Sequence, residues 1–149
     1  MKTITCERVI AKPRTEVFAA FTDLESAPDR IQGIDSLEVL TDGPMQVGTE
    51  FRETRTMFGK EATETMTITD FEQDRGYSTF AESCGAQYRA SYTFEDVDGG
   101  TLVRFTFDGK PVTFMGKIMS PVMGLVFGRM MKRLLAQDMD DMVAAIEKS

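Results

Sequence analysis

Apolar and polar residues alternate along residues 2–11 (KTITCERVIA), with Ile4, Cys6 and Ile10 on one face, and that period predicts a first strand. Pro13 then opens a stretch in which Val17, Phe18 and Phe21 recur at helical spacing. Asp23 is placed to cap a second short helix running to about Asp29, and Gly33 ends the helical region. From Ile34 to Gly109 the texture changes to strands rich in Thr, Phe, Tyr and Val, with glycine at intervals. From about Phe114 to Lys148 the pattern is helical again, and Ser120-Pro121 marks a kink or a fresh start. Val122, Leu125, Val126, Met130, Leu134, Met142, Val143 and Ile146 supply its apolar face. The predicted order is strand, two short helices, six strands, long helix. Nothing like a linker or a repeat divides residues 1–149, so one α+β domain with a seven-stranded antiparallel sheet is expected.

The turn residues predict strand registers. Gly59-Lys60 as a two-residue turn pairs Arg55 with Glu64, Phe51 with Ile68 and Met57 with Ala62, and leaves Arg52, Thr54 and Thr56 facing Thr67, Thr65 and Thr63 on a polar outer side. Gly85-Ala86 as a type II′ turn pairs Ser83 with Tyr88, Ala81 with Ala90, Thr79 with Tyr92 and Tyr77 with Phe94. Asp98-Gly99 as a type I′ turn pairs Phe94 with Val103, Tyr92 with Phe105 and Ala90 with Phe107. The last two hairpins agree on the buried face of residues 88–94, and both put Arg89 outside, between Glu82 and Asp108.

Composition narrows the function. A chain of 149 residues buries roughly 68–70% of its unfolded surface and needs no disulfide or metal staple. The formal charge of −7 argues against nucleic acid and anionic membrane surfaces as partners. Cys6 and Cys84 lie far apart and outside any C-x-x-C spacing, and Met1-Lys2-Thr3-Ile4-Thr5 has no apolar signal core, so a reducing, cytoplasmic location is expected. Histidine is absent, which excludes His-dependent triads and leaves acid–base work to carboxylates, lysine, tyrosine or cysteine. With no histidine to activate them, both cysteines read as inert.

Ile10-x-x-Pro13-x-x-x-Val17-Phe18, Thr22-Asp23, Val47-Gly48-Thr49, Asp98-Gly99-Gly100-Thr101 and the long final helix occur in this order. The succession resembles the helix-grip superfamily, which includes START lipid-transfer domains, the birch-pollen allergen family and the polyketide cyclase/dehydrase-like (SRPBCC) proteins. The chain departs from many of these at Ile31-Gln32-Gly33-Ile34, where they carry a tryptophan. The resemblance implies a helix-grip fold, a curved seven-stranded antiparallel sheet (β-α-α-β6-α) around a long C-terminal helix. It also implies a cavity between sheet and helix that binds lipids, polyketides, hormones or other apolar compounds. It implies a reaction only in some branches, and no shared catalytic motif carries over.

Three groups of residues are candidates for chemistry. Glu53, Arg55 and Glu64 point inward in the predicted register; they read either as an ion pair at an open end of the sheet or as a guanidinium that orients a ligand while a carboxylate serves as acid or base. All three tyrosines, Tyr77, Tyr88 and Tyr92, fall on the inner face, as core or as donors lining a pocket whose wall also holds Phe51, Met66 and Phe105. The tail helix carries small residues at Gly116, Ser120, Gly124 and Gly128, each helical glycine costing roughly 0.8–1.0 kcal/mol against alanine. That stripe reads as close helix–sheet approach, as fraying before Pro121, or as cavity volume. Met119, Met123, Phe127 and Met130 are the tail's candidate ligand contacts, since methionine makes an adaptable apolar wall. Lys117, Arg129, Lys132, Arg133 and Pro121 rule out a membrane-spanning helix around Gly124-x-x-x-Gly128, while transient docking of residues 114–128 on a membrane stays open. The acidic run Gln137-Asp138-Met139-Asp140-Asp141 reads as a solvated helix face, not a metal site, and no cofactor or metal is expected.

Three functions follow as alternatives. One is reversible binding of an apolar or amphipathic small molecule. The second is an enzyme of cyclase, dehydratase or hydrolase type using Glu53, Arg55, Glu64 or a tyrosine. The third is a protein-interaction module with a filled core, which requires that no cavity of ~300 Å³ or more be present.

Overall fold

The computed structural model describes residues 3–57, 59–83, 86–111 and 121–148, without the side chains of 57, 83, 110, 111 and 121–127. Strand β1 (Ile4–Ile10) leads into α1 (Arg14–Thr22), a 3₁₀ turn (Leu24–Ser26) and α2 (Ala27–Arg30). Six strands follow: β2 (Ser36–Val39), β3 (Glu50–Met57), β4 (Lys60–Glu72), β5 (Gly76–Ser83), β6 (Ala86–Val97) and β7 (Gly100–Pro111). Helix α3 (Pro121–Lys148) comes last. All seven strands join one antiparallel sheet in the order β1-β7-β6-β5-β4-β3-β2, so the first strand closes against the last. This is the helix-grip architecture expected from the order of elements.

Alternation decides which side chains reach the core. Cys6 and Ile10 of β1, Phe51 of β3, Ile68 of β4, Tyr77 of β5, Phe94 of β6 and Val103 and Phe105 of β7 are all buried, on the face gripped by Met139, Met142 and Ile146 of α3. From α1, Val17, Phe18 and Phe21 insert beneath one end of the sheet. Phe18 meets Phe71, Phe94 and Tyr77 edge-on at centroid distances of 5.7, 5.1 and 6.2 Å, the arrangement that ring quadrupoles favour. Pro13 caps α1 from extended backbone (φ −61°, ψ 149°) and its carbonyl accepts the Val17 N–H at 3.0 Å. The Asp23 carboxylate accepts no backbone N–H of the next turn. It accepts the Ser26 hydroxyl at 2.8 Å instead.

The β6–β7 register is the expected one, Phe94 opposite Val103 and Tyr92 opposite Phe105. Two other hairpins differ by two residues. In β3–β4, Met57 pairs with Lys60, so Gly59, at φ +78°, closes the turn rather than opening it. Arg55 therefore faces Ala62, Glu53 faces Glu64 and Phe51 faces Met66. In β5–β6, Ser83 pairs with Ala86, Ala81 with Tyr88, Thr79 with Ala90 and Tyr77 with Tyr92; turn residues 84 and 85 lie outside the described residues. A shift of two keeps every side chain on its face, so the inner and outer sets survive both corrections. It does move Arg89, whose outward partner is Asp70 of β4 rather than Glu82.

An irregularity in β4 between Ile68 and Asp70 was not visible as a pattern. The extra residue there turns Asp70 outward toward Arg89 and brings Phe71 inward onto Phe18. Bulges of this kind bend a strand and increase its local twist. Where β1 ends, a Cβ on Gly100 (φ +151°) would stand 1.9 Å from the Ile10 carbonyl oxygen, so only glycine permits that approach.

Candidate functional site

Between the inner face of the sheet, the short helices and α3 lies a cavity of about 340 Å³. Its far wall is aromatic. Tyr77 stacks on Tyr92 at 4.7 Å, Tyr92 leans on Phe105 at 4.7 Å, and Tyr88 stacks on Phe107 at 5.5 Å. Ala81 and Ala90 line the same wall, and their small side chains leave the space that larger ones would fill. Leu24, Ile31 and Leu37 close one side, and Met131, Leu134, Leu135, Met139 and Met142 of α3 close another.

One spot on this wall is charged. The Arg55 guanidinium donates through Nε to Glu53 on its own strand, and forks onto Asp138 of α3, Nη2 to Oδ2 at 2.7 Å and Nη1 to Oδ1 at 3.2 Å. The three side chains keep only 17%, 10% and 16% of their exposure. A guanidinium suits this bridge because its planar fork matches a carboxylate bidentately. Burial pushes the Glu53 and Asp138 carboxyls above their ordinary range, while the guanidinium pulls both back. Arg55 is held charged, its desolvation outweighed by the two carboxylates. Glu64, half-buried, stands across from Glu53 and adds a further upward push on it. Among the described residues Glu64 has no hydrogen bond or ion pair of its own. Gly33 backs the bridge so closely that a Cβ there would sit 2.9 Å from Arg55 Nη1 and 3.3 Å from Asp138 Oδ1.

Tyr77, buried, and Tyr92, partly buried, stand on the lining of this cavity. Burial raises the Tyr77 phenol, which donates to the Phe21 carbonyl oxygen at 3.4 Å. Burial also raises Tyr92, and Asp138 and Glu53 add to the rise while Arg55 opposes it. The Tyr92 side chain is therefore within electrostatic reach of the charged spot and stays protonated at neutral pH.

The structure places Phe51, Glu53, Arg55, Glu64, Met66, Tyr77, Tyr88, Tyr92 and Phe105 together on the cavity lining. Met130 is not among them. It is 42% exposed, and its neighbour Met131 lines the cavity instead. At 100° per residue, Leu134, Met131, Asp138, Met142, Leu135, Ile146 and Met139 fall within an arc of about 140°, and Met130 lies about 40° beyond its edge. Met119 lies outside the described residues, as do the side chains of Met123 and Phe127. Of the small-residue stripe Gly116 and Ser120 lie outside the described residues, and a Cβ on Gly128 would meet nothing within 4 Å among the described residues, so close approach to the described strands is not what glycine serves there. The Cys6 thiol is buried and free. Among the described residues no group of three or more Cys, Asp or Glu is placed to hold a metal ion.

Within the acidic run, expected as a solvated face, Asp138 is the charged exception that sequence reasoning misses: its side chain is largely buried, while Gln137 and Asp140 stay exposed. Asp138 binds Arg55, Asp140 takes Arg8 of β1 at 2.7 Å, Asp141 accepts the Gln32 N–H at 3.1 Å, and further along Glu147 accepts the Ala11 N–H at 3.0 Å. These carboxylates tie α3 to the sheet edge and the loops. The sequence does hold a signal for Asp138: it lies four residues from both Leu134 and Met142, inside the apolar stripe.

The model of the family described as polyketide cyclase/dehydrase and lipid transport matches residues 1–147. The chain belongs to that family. No curated protein matches significantly. Among solved structures, the Zhui aromatase/cyclase from Streptomyces sp. R1128 superposes with a TM-score of 0.78 at 13% identity, covering 99% of this chain and 94% of its own. Ara h 8.0201 gives 0.74 at 17% identity, covering 99% of each chain. TTHA0849 from Thermus thermophilus gives 0.74 at 18% identity, covering 99% and 95%. At such identities these likenesses carry the fold alone. Family and cavity together support hydrophobic small-molecule binding or a cyclase role. Among the described residues no helix is long and apolar enough to cross a membrane.

Proposed function

We propose that this polyketide cyclase/dehydrase family member reversibly binds an apolar or amphipathic small molecule between sheet and helix. The observation that carries the reading is a cavity of about 340 Å³, walled by stacked aromatics and helix methionines, with Glu53, Arg55 and Asp138 bridged at one spot of its lining. Binding sites are built this way: apolar area supplies affinity and a few fixed polar groups supply orientation. The cavity's volume counts against the filled-core interaction module. Two measurements test the reading. Native mass spectrometry of protein purified from its own host should reveal a co-purifying ligand. The neutral probe N-phenyl-1-naphthylamine should brighten saturably on titration. A folded protein that carries no ligand and leaves the probe dark would refute the proposal.

One observation favours a second reading, an enzyme of cyclase, dehydratase or hydrolase type. Glu53 is a carboxyl raised by burial, opening onto a cavity that also presents the Tyr92 phenol, the pairing that general acid catalysis uses. Under this reading Glu53→Gln abolishes turnover of a cyclisable poly-β-ketone while leaving its binding within a few-fold. Under the carrier reading no turnover exists to lose.

A further inference from the structure

We propose that the cavity selects aromatic ligands whose polar end is uncharged or cationic and donates hydrogen bonds, and that it rejects anionic amphiphiles such as fatty acids. The inference rests on the binding reading above and names its ligand class. Among the described residues the lining holds four carboxylates, Asp23, Glu53, Glu64 and Asp138, against one cation, Arg55. Asp23 is answered from outside the lining by Arg30 at 3.7 Å. The other three share Arg55, whose Nε, Nη1 and Nη2 are already given to Glu53 and Asp138. A ligand carboxylate reaching the guanidinium would have to displace one of two protein carboxylates or stand beside both. With Glu53 ionised the bridge carries a net negative charge. With Glu53 protonated it is neutral. Neither state offers an anion a free positive charge.

Acceptors are abundant at the same spot. Glu64 faces the cavity with no described hydrogen bond or ion pair, directly opposite Glu53. A phenol, alcohol or ammonium placed between these two carboxylates relieves a like-charge pair, where an acid adds to it. The ladder Tyr77, Tyr92, Phe105, its neighbouring rings 4.7 Å apart, gives the ligand's rings an aromatic wall to pack against.

One skeleton with four ends tests this. The wild-type chain is titrated with 2-naphthol, 2-naphthylmethylamine, 2-naphthoate and 2-methylnaphthalene, each in competition with N-phenyl-1-naphthylamine near neutral pH. The expected result is that naphthol and the amine bind at least about tenfold more tightly than naphthoate. The Glu64→Gln variant, altering a half-buried side chain with no described partner, should narrow that gap several-fold. Naphthoate binding as tightly as naphthol would overturn the charge selection and leave the binding reading intact. Methylnaphthalene matching naphthol would overturn the donor requirement. A gap unchanged in both Glu64→Gln and Glu53→Gln would overturn the assignment to these carboxylates. If none of the four competes while N-phenyl-1-naphthylamine itself fails to bind, the cavity reading falls with it.

Discussion

Replacing Arg55 by methionine removes the only described cation of the cavity and leaves Glu53 and Asp138 buried without it. Stripping one partner from a buried ion pair costs about 3–5 kcal/mol. The cost has a ceiling, because an orphaned carboxyl escapes by taking up a proton, at about 1.4 kcal/mol for each pH unit between its ordinary value and the working pH. The sign of the pH dependence follows. Burial already holds both carboxyls above their ordinary range, and the guanidinium opposes it, so its loss raises both further. A carboxyl raised on folding costs nothing in acid, where folded and unfolded chains are both protonated. The cost grows as pH climbs from the unfolded value through the folded one. Arg55→Met should therefore lose about 4 kcal/mol at about pH 8 but only about 2 kcal/mol at about pH 5, where lost hydrogen bonds remain. For a chain of this length the larger figure lowers Tm by roughly 10 °C. Urea unfolding followed by far-ultraviolet circular dichroism measures both, since the chain has no tryptophan to report. An equal loss at the two pH values, or a loss under about 1 kcal/mol at the higher one, would show that the bridge is solvated and the reasoning wrong.

Gly33→Ala pushes a methyl group against the same bridge, 2.9 Å from Arg55 Nη1, and should cost about 1–2 kcal/mol, read as a fall in Tm. In the Arg55→Met background the same change should cost measurably less, because the atom it strikes is gone; full additivity would argue against the contact. Ala90→Leu fills the aromatic wall of the cavity, so N-phenyl-1-naphthylamine should bind at least about tenfold more weakly while Tm holds or rises, the opposite of what a simple packing defect does.

Strand pairing shows how far local pattern reaches. Two of the three hairpins that turn residues predict are shifted by two positions, yet the inner face still holds Phe51, Glu53, Arg55, Glu64, Tyr77 and Tyr92. A side chain's face depends on parity alone, and a two-residue slip preserves parity. Its partner depends on the register itself, so Arg55 opposite Glu64 was wrong while both residues remained on the cavity wall. The β4 irregularity escapes for a related reason: it breaks the period of two that makes a strand readable.

What the chain determines by itself is the order of its elements, the faces of its strands and the class of its fold, because these follow from periodicities of two and 3.6 residues and from turn chemistry acting over a few positions. What only the tertiary structure decides is which charged groups meet. Asp138 and Arg55 are 83 positions apart, on a helix and a strand whose relative placement is set by the packing of Met139, Met142 and Ile146 against the sheet. In the sequence Asp138 stands among acidic neighbours and looks solvated. Folding carries it out of water and onto the one guanidinium among the described residues of the cavity lining, because burying either charge alone costs more than burying the two together.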